Sequence, residues 1–123
     1  MSNCVFCNIP DDVIVNEYKH FFIIRDLFPV TNLHSLVIPK RHIVSYFECN
    51  KDDYDEIPLF LHTQKTELKL TDETITCFNI GMNIGEDPGQ TIFHFHIHII
   101  PWRKGDIDKL KGGIRGVIQD KQK

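Results

Sequence analysis

The sequence lacks the run of about 20 consecutive apolar residues that a membrane-spanning helix needs, so no membrane partner is expected. It lacks an N-terminal signal sequence, which predicts a cytoplasmic protein. It has no long run of lysine or arginine, and its formal net charge is −3 with histidine neutral. Duplex nucleic acid is therefore not the expected partner. A small phosphorylated ligand remains open, because it needs only a local donor-rich pocket. There is no internal repeat, low-complexity segment or linker, and 123 residues suit one domain, 1–123. That length can bury a core without disulfide staples. In a reducing cytosol the four cysteines stay as thiols.

What is present is an ordinary globular composition, 41% apolar and 25% charged, with seven histidines. The apolar runs Val13–Val15, Phe21–Ile24, Ser35–Ile38, Thr74–Ile80 and Ile92–Ile100 read as strands separated by turn residues. Asn50 can cap a helix, with Asp52 and Asp53 in its first turn. Pro58 argues for a short turn first, with the main helix beginning near the proline. Tyr54, Ile57, Leu61 and Leu68 recur at helical spacing, with Gln64 filling one slot. The expected fold is α+β, an antiparallel sheet with one main helix. Cys49 and Cys77 read as filler in or near the core. His20 and His62 stand outside any motif and are given no role.

The chemistry gathers in His94-Phe95-His96-Ile97-His98. On a strand these three histidines leave one face, while Phe95, Ile97 and Ile99 leave the other, the core side. Each buried ring nitrogen without a partner would cost roughly 1–3 kcal/mol, so stability alone is a poor reason for the pattern. Two chemical readings remain open on spacing alone: an open three-histidine metal site, or an imidazole nucleophile whose second nitrogen fixes its tautomer. Gly85 and Gly89 precede the strand in a loop that can bring N–H groups to an anion. Gln90 and Thr91 add side-chain donors. A phosphate cradle beside imidazoles favours phosphoryl or nucleotidyl transfer.

The pattern His94-Phe95-His96-Ile97-His98-Ile99-Ile100 resembles that of the histidine triad (HIT) family. Gly89-Gln90-Thr91, Pro101, the block Leu33-His34-Ser35-Leu36-Val37-Ile38-Pro39-Lys40-Arg41-His42 and Cys4-Val5-Phe6-Cys7-Asn8-Ile9 match as well. The resemblance runs from residue 4 to about 104 and points to a zinc-containing, bacterial-type branch. It implies a HIT-like five-stranded antiparallel sheet with a main helix, the sheet extended across a homodimer. It implies a nucleotide hydrolase acting at the α-phosphate of nucleoside phosphoramidates or dinucleoside polyphosphates, with a purine base expected. His96 would be the nucleophile and carry a nucleotidyl intermediate. His98 would tend the phosphate and leaving group, and His34 would join their hydrogen-bond network. Asp26 would take the ribose hydroxyls, with Leu27, Phe6 and Ile9 as walls around the base. Asn83, Gly89, Gln90 and Thr91 would lie on the phosphate side.

Some members of the family hold zinc, and the resemblance suggests the ligands. Cys4 and Cys7 supply thiolates, and His42 and His94 supply nitrogens, for a closed and therefore structural Cys₂His₂ site. Such a site would anchor residues 1–10, and no metal would be needed for the chemistry. Without those histidines the C-x-x-C would read as two reduced cysteines in a turn or a redox pair. In the tail, 103–123, Arg103, Lys104 and Arg115 could meet a second phosphate or form a solvated basic face. The alternative function class is a non-catalytic module that binds a nucleotide or a protein partner.

Overall fold

The computed structural model describes residues 4–106 and 112–117. Its regular elements are β1 (Asn16–Glu17), β2 (Phe21–Arg25), β3 (Ser35–Pro39), α1 (Lys51–Thr71), β4 (Ile75–Gly81) and β5 (Ile97–Arg103). They form the expected antiparallel five-stranded sheet and main helix, in the order β1-β2-β3-β5-β4. The last strand in sequence is thus inserted at the centre, where Leu36 of β3 pairs with His98. Among the described residues, no helix is long and apolar enough to cross a membrane. Of the tail expected at 103–123, residues 107–111 and 118–123 lie outside the described residues.

Strand alternation sorts the apolar side chains into two layers. Phe21, Ile23, Val37, Ile97 and Ile99 face α1, where they pack with Phe60 and Leu68. Fully burying each such side chain contributes roughly 1.5–3 kcal/mol. Phe22, Ile24, Leu36 and Ile38 face the other way and are covered by Phe6 and Ile9 of the N-terminal segment.

Three expected boundaries are corrected. The Val13–Val15 run is not a strand: Asp11–Val13 is a 3₁₀ turn and β1 starts at Asn16, although Val15 N–H still bonds Ile23 O. The helix does not wait for Pro58 but runs unbroken from Lys51. Asn50 and Asp53 close a reciprocal capping box at its start. Pro58 removes one helical hydrogen bond, but it sits on the exposed side, where water can serve the freed carbonyl. The fully buried stripe is Asp53, Glu56, Phe60, Gln64 and Leu68, with Ile57 and Leu61 half-buried beside it. Its polar members are paired: Asp53 with Arg41, and Glu56 with the N–H groups of His20 and Phe21.

The third correction concerns the histidines. Strand β5 is Ile97–Arg103 rather than Ile92–Ile100, so only His98 lies within the ladder. Alternation nevertheless persists upstream, since Phe95 joins Ile97 and Ile99 in the core. Pro101 continues the strand instead of ending it, paired with Phe78 of β4. It is tolerated because the pairing with β3 stops at Ile99, leaving Pro101 beside a single neighbouring strand. Cys77 also departs from expectation: it is exposed on β4, whereas Cys49 packs against the core.

Candidate active site and metal cluster

The segment 94–98 crosses the face opposite α1, and its three imidazoles enter three different environments. His94 is fully buried. Its Nε2 donates to Pro39 O at 2.8 Å, so its Nδ1 lone pair is free, and this nitrogen lies 3.3 Å from Cys4 Sγ and 3.5 Å from Cys7 Sγ. His42, delivered by the chain leaving β3, places Nδ1 3.1 Å from Cys7 Sγ. The two cysteines flank a tight turn that Asn8 closes by donating from its side chain to Cys4 O at 2.7 Å. All four ligand atoms lie within 4.8 Å of one another.

Two thiols and two imidazole nitrogens are the donor set of a closed zinc site, and the Pro39 carbonyl is the outer partner that orients a metal-bound histidine. The chemistry of the set favours a cation. Desolvation and the adjacent Cys4 push the Cys7 thiol above its ordinary range, a resistance to deprotonation that a divalent ion would reverse. The residues present therefore fit the metal.

His96 sits two residues on with its ring edge-on to Phe6, the centroids 5.1 Å apart. Its Nδ1 donates to His94 O at 2.9 Å. A neutral imidazole has one N–H, so Nε2 carries the bare lone pair. Among the described residues that nitrogen has no hydrogen-bond partner.

His98 belongs to a chain of hydrogen bonds whose protons can be assigned in order. Val30 N–H donates to His34 Nδ1 at 3.0 Å, which puts the His34 proton on Nε2. That Nε2–H donates to His98 Nδ1 at 2.9 Å, which puts the His98 proton on its own Nε2. Asp26 Oδ2 lies 3.4 Å from His34 Nε2. Burial pushes His34 below the ordinary histidine range while Asp26 opposes the shift. Burial, and then the His96 and His34 rings, push His98 down to about 4. Both are therefore neutral near pH 7. Asp26, His34 and His98 are close enough to hold a cation, but the amide on His34 Nδ1 keeps Nε2 protonated and unable to ligate. This trio is a proton-ordering chain. The open three-histidine metal reading fails on the same ground, because the three rings turn their nitrogens to different partners.

Local sequence explains how His34 is aimed. It follows Leu33, which adopts φ +74°, a left-handed conformation uncommon outside glycine. Ser35 Oγ donates to Leu33 O at 2.8 Å and accepts from Arg25 Nη1 at 2.7 Å, holding that turn. Nothing in the residue type of Leu33 signals this. The roles of Val30 N–H and the Pro39 carbonyl were also missed, since backbone groups leave no mark in a motif.

The remaining expected residues fall in varied places. Phe6 is buried against His94 and His96, and Ile9 packs beside Phe22 and Ile24. Asp26 follows the end of β2 with Oδ1 accepting from Phe28 N–H at 3.0 Å. Leu27 is 85% exposed. Asn83 is half-buried, and Thr91 is exposed. Gly89 adopts φ +109°, which favours glycine. Gln90 does not offer its amide outward. Its Nε2 donates to Val44 O and Ile92 O, and its Oε1 accepts from Gly85 N–H at 2.8 Å. The N–H groups of Gly89 and Gln90 also bond within the loop. Of the tail cations, Arg103 is committed to Asp72 at 3.0 Å, and Lys104 is exposed.

Comparison with known proteins places this geometry in context. The sequence profile of the HIT domain matches residues 8–105. A curated relative, Protein hit from Bacillus subtilis, is 36% identical over 114 residues, covering 85% of this chain and 75% of that protein. The structure of a zinc-bound histidine triad family protein from Mycobacterium smegmatis superposes with a TM-score of 0.75 at 30% identity, covering 85% of this chain and 78% of that one. A histidine triad nucleotide-binding protein from Candida albicans gives 0.72 at 28% identity, with 82% and 76% covered.

Proposed function

Since the chain belongs to the HIT domain family, we propose that it cleaves nucleoside phosphoramidates or dinucleoside polyphosphates at the α-phosphate through a nucleotidyl intermediate on His96. At the coarser level it is a nucleotide-binding hydrolase or transferase of that family. The observation that carries the finer reading is the tautomer of His96: Nδ1 bonded to the backbone and Nε2 bare. A neutral imidazole fixed in this way is an oriented nucleophile.

His96 Nε2 attacks phosphorus while the bond to the leaving group breaks. For a phosphoramidate, the departing nitrogen keeps the electron pair of that bond and takes the proton from His98 Nε2. Water then attacks phosphorus, the bond to His96 breaks, and the proton of the water returns to His98 Nε2. His34 keeps His98 in the donor tautomer throughout, and Thr91 with the 85–90 loop faces the phosphate oxygens. Gln90 serves by fixing that loop. Asn83 completes the phosphate side. Asp26 accepts the ribose hydroxyls with its remaining lone pairs, and Phe6, Ile9 and Leu27 wall the base, a purine.

Cys4, Cys7, His42 and His94 would hold zinc, which supplies a structural cross-link between the N-terminal segment and the sheet. The protein is cytoplasmic and acts as a homodimer, with the edge strand β4 and its exposed Ile80 as the side on which a second sheet adds. The direct test is His96→Ala. The variant loses turnover and still binds mononucleotide; retained turnover would refute the assignment.

A further inference from the structure

The sheet face beyond His98 carries a groove of about 390 Å³, within the range of small-molecule sites. Its apolar walls are Val30, Ile80, Met82, Ile100, Ile114 and Val117. His34 and His98 close its inner end, and Asn79 and Asn83 add the other polar side chains. His96, Phe6 and Ile9 do not line it. No lysine, arginine or carboxylate lines it among the described residues. The 3₁₀ turn Gly113–Val117 forms its mouth, with Ile114 and Val117 about four-fifths exposed (77% and 82%).

The position of the groove has a chemical meaning. An in-line displacement at phosphorus puts the leaving atom opposite the attacking nitrogen. The groove starts at His98, the proton donor to the leaving group, and excludes His96, the attacker. Its lining also selects. A second run of phosphates placed there would be desolvated without a cation, and unpaired buried charge is strongly unfavourable. Arg103, the nearest cation in sequence to β5, is committed to Asp72 and Pro101 O. An aromatic or alkyl group would instead cover the exposed Ile114 and Val117 side chains.

We infer that this groove is the leaving-group subsite, and that it takes an uncharged apolar amine in preference to a polyphosphate chain. The inference rests on the phosphoramidate reading above and sharpens it to nucleoside phosphoramidates whose amine bears an apolar substituent.

The test compares kcat/KM of the full chain on three compounds: an unsubstituted adenosine 5′-phosphoramidate, its N-benzyl derivative, and diadenosine tetraphosphate. The benzyl compound is expected to exceed each of the others by about ten-fold or more, the scale on which an apolar pocket discriminates. Ile114→Lys, at an exposed turn position that does not burden folding, is expected to collapse the ratio of benzyl to unsubstituted rates towards one. Turnover of the unsubstituted compound with no benzyl preference overturns the subsite alone. So does a preference for the polyphosphate, or a ratio that Ile114→Lys leaves intact. Failure to cleave any of the three overturns the parent reading, and the subsite falls with it.

Discussion

The two faces of the sheet are built from alternate residues of the same strands, and they do different work. On one face Phe95, Ile97 and Ile99 meet Phe60 and Leu68 of α1 in an apolar layer. On the other, His94, His96 and His98 each meet a polar partner, namely a thiol pair with Pro39 O, a backbone carbonyl, and His34. The difference shows how an enzyme can keep imidazoles beside a core without sacrificing stability. Every ring nitrogen turned inward is hydrogen-bonded or aimed at a metal cluster, and those left open belong to the chemistry. Rigidity comes from the helix face, and reactivity from tautomers set by backbone groups on the open face.

Four substitutions or conditions break this division in order of effect. His96→Ala strikes only the open face: steady-state turnover should fall by about 10³-fold or more, with the melting temperature nearly unchanged. Phe60→Ala strikes only the core. Denaturant unfolding should show a loss of about 3–5 kcal/mol, while the rate per folded molecule stays close to that of the parent. Equal damage to rate and stability by either variant would dissolve the distinction between the faces.

Removal of zinc tests the seam between the N-terminal segment and the sheet. A chelator, or Cys7→Ser, should lower the melting temperature by about 4–8 °C for each kcal/mol that metal binding contributes to folding. The smallest effect is that of mild acid. His98, held at about 4 in the folded chain, would titrate near 6.5 once unfolded, so the unfolded state takes up its proton first. His34 is shifted the same way. Stability from these neutral histidines is therefore present above pH 6.5 and is lost as pH falls from there towards 4. Thermal melts between pH 7 and pH 4.5 should show this decline; a flat profile would contradict the burial of the pair.

Much of this was legible in the sequence because it is periodic or chemically distinctive. Alternation placed Phe95, Ile97 and Ile99 on the core side, and the apolar runs gave β2, β3 and β4 within about a residue. The residues expected to form the metal cluster, Cys4, Cys7, His42 and His94, do come together. What was not legible depends on long-range context. Pro58 and Pro101 each suggested an end, yet both are tolerated where their missing N–H has no structural partner to lose. Gln90 carries donors and was assigned to the ligand, but the geometry of its own loop consumes them. Leu33 gives no hint of the left-handed turn that aims His34.

The central claim is covalent chemistry at His96, and one measurement addresses it most directly. The protein is mixed with a nucleoside phosphoramidate, quenched in alkali during turnover, digested and read by mass spectrometry. The account predicts a nucleotidyl group on the peptide that carries His96, localised to that residue and missing in His96→Ala. Product formation with no adduct, or with the adduct on His34 or His98, would contradict it.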